Sequence, residues 1–188
     1  MKARARAAEE TAQRILEAAL ALMKQHAYDH FTLQEVAERA GVSLQTVLRR
    51  FGSKEGLVTA VLESDLMGIR AQSDRVPPGD VAEAVRVLMA RYEEWGDAVM
   101  RNLNLEERLP DVRSMLDFGR TAHREWVART FAPFLPPPDA EPYDRRLALF
   151  ITATDVYTWK LLRRDYGLDA AATERAIHDL LDGLIATS

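Results

Sequence analysis

Apolar residues recur along this chain at steps of three and four almost from end to end, and no stretch alternates in the manner of a strand. The pattern predicts an all-α fold. Ile15, Ala18, Ala19, Leu22 and Met23 fall on one stripe and place a first helix over about 9–26. Two short helices follow, near 33–39 and 44–50, and a longer one over 54–73. Val76-Pro77-Pro78-Gly79-Asp80 is the clearest break in the first half. Beyond it the pattern gives helices near 80–102, 110–117 and 118–132. A proline-rich loop, Pro136-Pro137-Pro138 to Pro142, precedes two last helices over 143–165 and 170–186. Gly167 suits the end of the first of these, and Asp169 suits the N-cap of the second. About nine helices are expected in all.

The most informative segment is TLQEVAERAGVSLQTVLRRFGSKEGL, from Thr32 to Leu57. Thr32 and Glu35 have the spacing of a capping box, which starts a helix. Ala37 is small where a second helix must cross closely. Gly41 can end the helix in the left-handed backbone of a sharp turn. Ser43 caps the next helix, and Val36, Val42 and Val47 are expected in the angle between the two. A short helix, a brief turn with glycine and a second short helix make a helix-turn-helix.

The second helix of that arrangement can enter the DNA major groove with its early residues on base edges. Those residues are Leu44, Gln45 and Thr46, with Arg49 one turn on. Glutamine can bond an adenine edge twice, and arginine can do the same with guanine. Thr32 and Ser43 would offer hydroxyls and helix N-termini to phosphates, and Arg50 and Lys54 would add charge. An ordinary helical corner inside a bundle is the competing reading. Against it, the exposed face over 43–50 carries no acid, and the next acidic residue is Glu55.

The net charge of −4 argues weakly against nucleic acid, but its distribution changes the picture. Residues 1–60 hold nine Lys/Arg against seven Asp/Glu, and the remainder holds 16 against 22. A mildly basic head precedes an acidic body. Lys2, Arg4 and Arg6 form a basic 1–8 tail that would either lie along the DNA or stay disordered. No run of 18 apolar residues is long enough to span a membrane, the start MKARARAAEE lacks a signal peptide's apolar segment, and there is no cysteine. These features fit a cytoplasmic protein with no membrane partner.

Thr11 to Leu57 resembles the DNA-binding region of the TetR family of bacterial transcriptional regulators. The likeness runs through Arg14-Ile15-Leu16-x-Ala18-Ala19, Thr32-Leu33, Val36-Ala37, Ala40-Gly41-Val42-Ser43, Thr46, Phe51 and Ser53-Lys54-Glu55-x-Leu57, without gaps. It covers about a quarter of the chain. The chain departs from the family pattern at Ala27 and Gln45, where glycine is frequent, and at Leu48 and Arg50, where tyrosine and histidine are common. The family's tyrosine usually touches a phosphate. Arg49 or Arg50 would have to replace that contact. The resemblance implies a three-helix DNA-binding domain over 9–55, a connecting helix over 56–75, and a helical body over 80–188 for dimerisation and effector binding.

The resemblance further implies a homodimer joined by the last two helices. Ile177, Leu180, Leu181, Leu184 and Ile185 give helix 170–186 a broad apolar face. Leu147, Phe150, Ile151, Ala153, Thr154, Tyr157, Trp159, Leu161 and Leu162 surround much of helix 143–165, which must then bury two sides. The family's effector pocket lies in the body. Candidate lining residues are Met89, Tyr92, Trp95, Met100, Phe118, Trp126, Asp155 and Trp159, a set suited to a small apolar or aromatic effector. Ordinary core packing is the alternative for each aromatic residue. No metal, cofactor or catalytic set is expected: His26 and His30 lack a third ligand, His123 and His178 are isolated, and no catalytic motif appears. The predicted function is a homodimeric repressor released from a double-stranded DNA operator by a small molecule. The alternatives are a ligand-binding or enzymatic bundle without DNA, and a DNA-binding dimer without an effector.

Overall fold

Six helix starts, those of the helices beginning at 33, 44, 54, 81, 156 and 170, coincide with side chains that accept a free backbone N–H of the first turn. In a computed structural model, which describes residues 2–73 and 75–187 and the side chains of 6–64 and 75–187, helix α1 runs Lys2–Gln25, α2 Leu33–Ala40, α3 Leu44–Phe51 and α4 Lys54–Ser73. Then come α5 Val81–Leu103, α6 Pro110–Thr130, α7 Tyr143–Ala153, α8 Val156–Lys160, a π-helical turn Leu161–Asp165, and α9 Ala170–Ala186. Ser53 Oγ accepts from Gly56 N at 3.0 Å, Asp80 Oδ1 from Glu83 N at 3.0 Å and Asp169 Oδ1 from Ala172 N at 2.7 Å. The predicted all-α class is what forms.

Three boundaries differ from the expected ones. Helix α1 begins at Lys2 rather than near 9. Its apolar stripe starts only at Ile15, so periodicity misses the first turns. Alanine, arginine and glutamate are strong helix formers there, and Arg6 pairs with Glu10 at 3.1 Å. The side chains of Lys2 and Arg4 lie outside the described residues. Next, 110–117 and 118–132 are one helix, α6. Gly119 weakens a helix by about 1 kcal/mol relative to alanine, too little to end it. The Asp117–Arg120 pair at 2.9 Å and the Thr121 hydroxyl on the Asp117 carbonyl at 2.9 Å span the site.

Conversely, 143–165 is not one helix. It stops at Ala153, turns through Thr154 and Asp155, and restarts as α8. Thr154 donates its hydroxyl to the Phe150 carbonyl at 2.8 Å, and its own carbonyl accepts from Tyr92 Oη at 2.8 Å. Asp155 takes an extended backbone and accepts from Tyr157 N at 2.9 Å. The helix is broken by alternative partners for its backbone.

The chain divides into two compact units. One comprises Met1–Ile69 with Arg101–Leu116, the other Arg70–Met100 with Asp117–Ser188. The ends of α5 and α6 nearest their connecting loop thus belong to the N-terminal unit. That unit buries Ile15, Ala19, Val36, Val47 and Leu57 completely. The second unit is built around Phe131, Leu147, Phe150, Trp159, Ile177 and Leu181, with the Phe131 and Phe150 rings stacked at 5.0 Å. Gly96 lets α5 approach α8: a Cβ there would fall within 3 Å of three ring atoms of Trp159. Among the described residues, no helix is long and apolar enough to cross a membrane.

Candidate nucleic-acid interface

Helices α2 and α3 are each eight residues, too short to be stable without caps and tertiary packing. The Thr32–Glu35 capping box closes in both directions. Glu35 N donates to Thr32 Oγ1 at 3.2 Å, and Thr32 N donates to Glu35 Oε2 at 2.7 Å. Gly41 takes φ 66° and ψ 39°, the left-handed conformation in which a side chain would be strained. Ser43 Oγ accepts from Thr46 N at 3.2 Å and starts α3. Val36 and Val47 are fully buried in the angle, and Val42 is half-buried.

This packing decides what α3 shows outside. Val47 faces in, so Gln45, Leu48, Arg49 and Arg50 face out, with Leu44 and Thr46 half-buried at the margin. The first turn of α3 holds no acid, and its last turn holds both arginines. Leu48 is 41% exposed. The outward face is a glutamine, a leucine and two arginines with no carboxylate among them.

Not every predicted contact residue is equally placed. The Thr32 hydroxyl donates to Glu35 Oε2 at 2.9 Å, so a carboxylate already occupies the start of α2. The Thr32 hydroxyl and backbone bonds also pull the Glu35 carboxyl below its ordinary range. The Ser43 and Thr46 hydroxyls bond each other at 2.9 Å.

Lys54 departs furthest from expectation. Its ammonium donates to the carbonyls of Tyr28 and Phe31 and lies 3.9 Å over the Phe31 ring. Burial pulls its pKa down, against opposing pulls from Asp29 and Glu35. Lys54 thereby fastens the 28–31 turn to the start of α4. The same turn is held from the far side of the unit: Tyr28 N donates to Asn102 Oδ1 at 2.9 Å and Tyr28 Oη to Asp111 Oδ2 at 2.9 Å. Burial and Asp111 raise the Tyr28 phenol above its ordinary pKa. Tyr28, Asn102 and Asp111 were not singled out from sequence, because nothing local pairs residue 28 with residue 111.

The effector-pocket candidates scatter. Met89, Tyr92, Trp126 and Trp159 belong to the packed core of the second unit. The Trp159 indole donates to Glu93 Oε1 at 3.1 Å, and Glu93 also pairs with Arg163 at 2.9 Å. Trp95 and Met100 are half-buried. Phe118 is 40% exposed and points away from the core. Asp155 is the N-cap of α8, which accounts for an acid in an apolar stretch.

The family model described as bacterial regulatory proteins, tetR family, matches residues 15–61. The HTH-type transcriptional repressor KstR of Mycolicibacterium smegmatis is 37% identical over 162 residues, covering 83% of this chain and 77% of that protein. KstR of Rhodococcus jostii is 28% identical over 185 residues, covering 94% and 85%. In the crystal structure of a transcriptional regulator from Rhodococcus sp. Rha1, 96% of that chain matches 94% of this one with a TM-score of 0.70 at 16% identity. That last likeness is one of fold.

Proposed function

Because the chain belongs to the TetR family and is a DNA-binding transcriptional regulator, we propose that it acts as a homodimeric repressor that reads its operator through α3 and is released by a small molecule bound in the second unit. One observation carries the reading of α3: an outward face with Gln45, Arg49 and Arg50 and no carboxylate, on a helix fixed by Ser43 and Val47. Gln45 and Arg49 are the base readers. Leu48 offers its apolar side chain to a thymine methyl, and Arg50, with Ser43 at the helix start, positions the protein on phosphates.

Exposed apolar side chains support the dimer. Leu149 on α7, Tyr157 on α8, Leu161 in the π-turn and Leu180 on α9 are between 42% and 55% exposed. They supply the outer apolar face that a two-fold, four-helix interface would bury. Tyr28 supports the coupling: α5 and α6 deliver Asn102 and Asp111 to the turn just before the helix-turn-helix. A shift of those helices would reach α2 and α3 through that turn and change the spacing of the two reading helices.

The test is fluorescence titration of the full chain against DNA from beside its own gene. Salt-sensitive, sequence-specific binding by a dimer supports the proposal. Absence of specific binding to any such fragment contradicts it. A KstR repressor among its relatives favours repression over activation, which a reporter assay in a deletion strain would read directly.

A further inference from the structure

Helix α6 carries three polar residues on one inward face. His123, Trp126 and Thr130 are three and four residues apart, the spacing of a single helical stripe. All three are at least nine-tenths buried, at 8%, 7% and 1% exposure. Each presents an atom that finds no hydrogen-bond partner among the described residues: His123 Nδ1, Trp126 Nε1 and Thr130 Oγ1. Buried polar atoms are nearly always satisfied, so three on one stripe ask for an explanation.

The tautomer of His123 follows from its neighbour. Thr154 Oγ1 donates its one proton to the Phe150 carbonyl at 2.8 Å. His123 Nε2, 3.2 Å from that hydroxyl oxygen, must therefore be the donor between them. This leaves Nδ1 as a bare lone pair. Burial, with Arg91 nearby, pushes the ring's pKa down to about 4, against the opposing pull of a bond to the Ile151 backbone. The stacked ring of Trp126, 5.8 Å away between centroids, adds an indole N–H that can only donate. One acceptor and one donor thus belong to two neighbouring stacked rings, with Thr130 one turn on. Trp126 belongs to the core of the second unit, with Met89, Tyr92, Val127, Phe131, Leu147 and Phe150, and its ring meets that of Phe131 edge-on at 6.1 Å.

From this arrangement we infer that the His123–Trp126–Thr130 stripe is the polar end of a ligand site that takes an uncharged hydroxyl carried on an apolar body. A hydroxyl donates to Nδ1 and accepts from Nε1–H, matching both atoms. A carboxylate would accept from the indole but would meet the Nδ1 lone pair unprotonated. A hydrocarbon would leave both atoms unsatisfied. The inference rests on the reading of the second unit as an effector-binding body and names the chemistry of that site. His123 carries it, although from sequence it looked isolated.

The test uses the full chain at pH 7 with three probes of similar shape: p-cresol, toluene and p-toluate. Saturable p-cresol binding is expected to shift the Trp126 indole N–H and the His123 Nδ1 signals in nitrogen-15 NMR. The affinity should exceed that for toluene, and for p-toluate, by at least about tenfold, since a site built to bond a hydroxyl rejects its analogue. His123→Gln keeps an N–H donor toward Thr154 while removing the Nδ1 acceptor, and Trp126→Phe keeps the ring. Each should abolish the preference for p-cresol over toluene. Equal binding of toluene, preference for p-toluate, or a preference that survives both substitutions overturns the inference. So does an Nδ1 signal already in its hydrogen-bonded position and unmoved by p-cresol, the sign of a tightly held water. Operator affinity measured alongside separates the two readings. Site-specific p-cresol binding that leaves operator affinity unchanged upholds the site and sinks effector release. Release by some other compound, with no p-cresol binding at the stripe, does the reverse.

Discussion

The Arg49 and Gln45 side chains make no hydrogen bond or ion pair among the described residues, so their replacement isolates DNA reading from stability. Both are exposed on α3. Each change to alanine should weaken operator binding by about 1–3 kcal/mol and relax the preference at one base pair, with the denaturation midpoint unmoved. Lys54 behaves oppositely. Its ammonium serves the Tyr28 and Phe31 carbonyls, so Lys54→Met should destabilise the N-terminal unit by about 1.5–3 kcal/mol, the range for hydrogen bonds to charged groups. The slope of log affinity against log salt should stay the same, whereas a lost phosphate contact would reduce it by about 1. His123 gives a pH signature. Its folded pKa of about 4 lies below the ordinary 6.5. Above 6.5 neither state holds the proton. As pH falls from 6.5 to 4 the unfolded chain takes it up and the folded chain does not, so stability falls with pH and levels off below 4. Between pH 7 and pH 5 this amounts to about 2 kcal/mol at 1.36 kcal/mol per unit. Urea denaturation should show that much less pH dependence in His123→Gln.

Element by element, what was legible in the sequence was local. Thr32, Glu35, Gly41 and Ser43 act on backbone groups within four residues of themselves, and α2 and α3 start and stop within a residue of expectation. The same holds for Asp169 at α9. The illegible features depend on distant partners. Helix 143–165 breaks at Thr154 with help from Tyr92, 62 residues away. Lys54 turns inward because carbonyls 23 and 26 residues earlier lie open to it. Trp126 looked like pocket lining, yet its meaning depends on His123 and on the tautomer that Thr154 imposes. Packing between elements makes a further prediction at Gly96. On an isolated helix, Gly96→Ala would gain about 1 kcal/mol. Here the new Cβ would collide with the Trp159 ring, which Glu93 and the stacked Arg164 hold in place. Overpacking of this kind costs about 1–3 kcal/mol. The variant should therefore melt lower than the parent in thermal denaturation.

At the scale of the whole molecule, the mild excess of base over acid in the first 60 residues and the acidic remainder separate two tasks along one chain. The proposed dimer would join them, since two reading helices must meet half-sites about 34–36 Å apart. Leu180, 48% exposed on α9, is the point at which to break it. Leu180→Glu should convert the dimer to a monomer in analytical ultracentrifugation, and operator affinity should fall with it. The proposed DNA reading by α3 is what sets the sequence preference. The most direct measurement is the salt dependence of binding to an operator fragment and to a scrambled one, for the parent chain and for the Gln45→Ala, Arg49→Ala double variant. The parent should prefer the operator, and the double variant should bind both fragments alike and weakly, with its fold intact. An undiminished preference in the double variant would contradict DNA reading by α3.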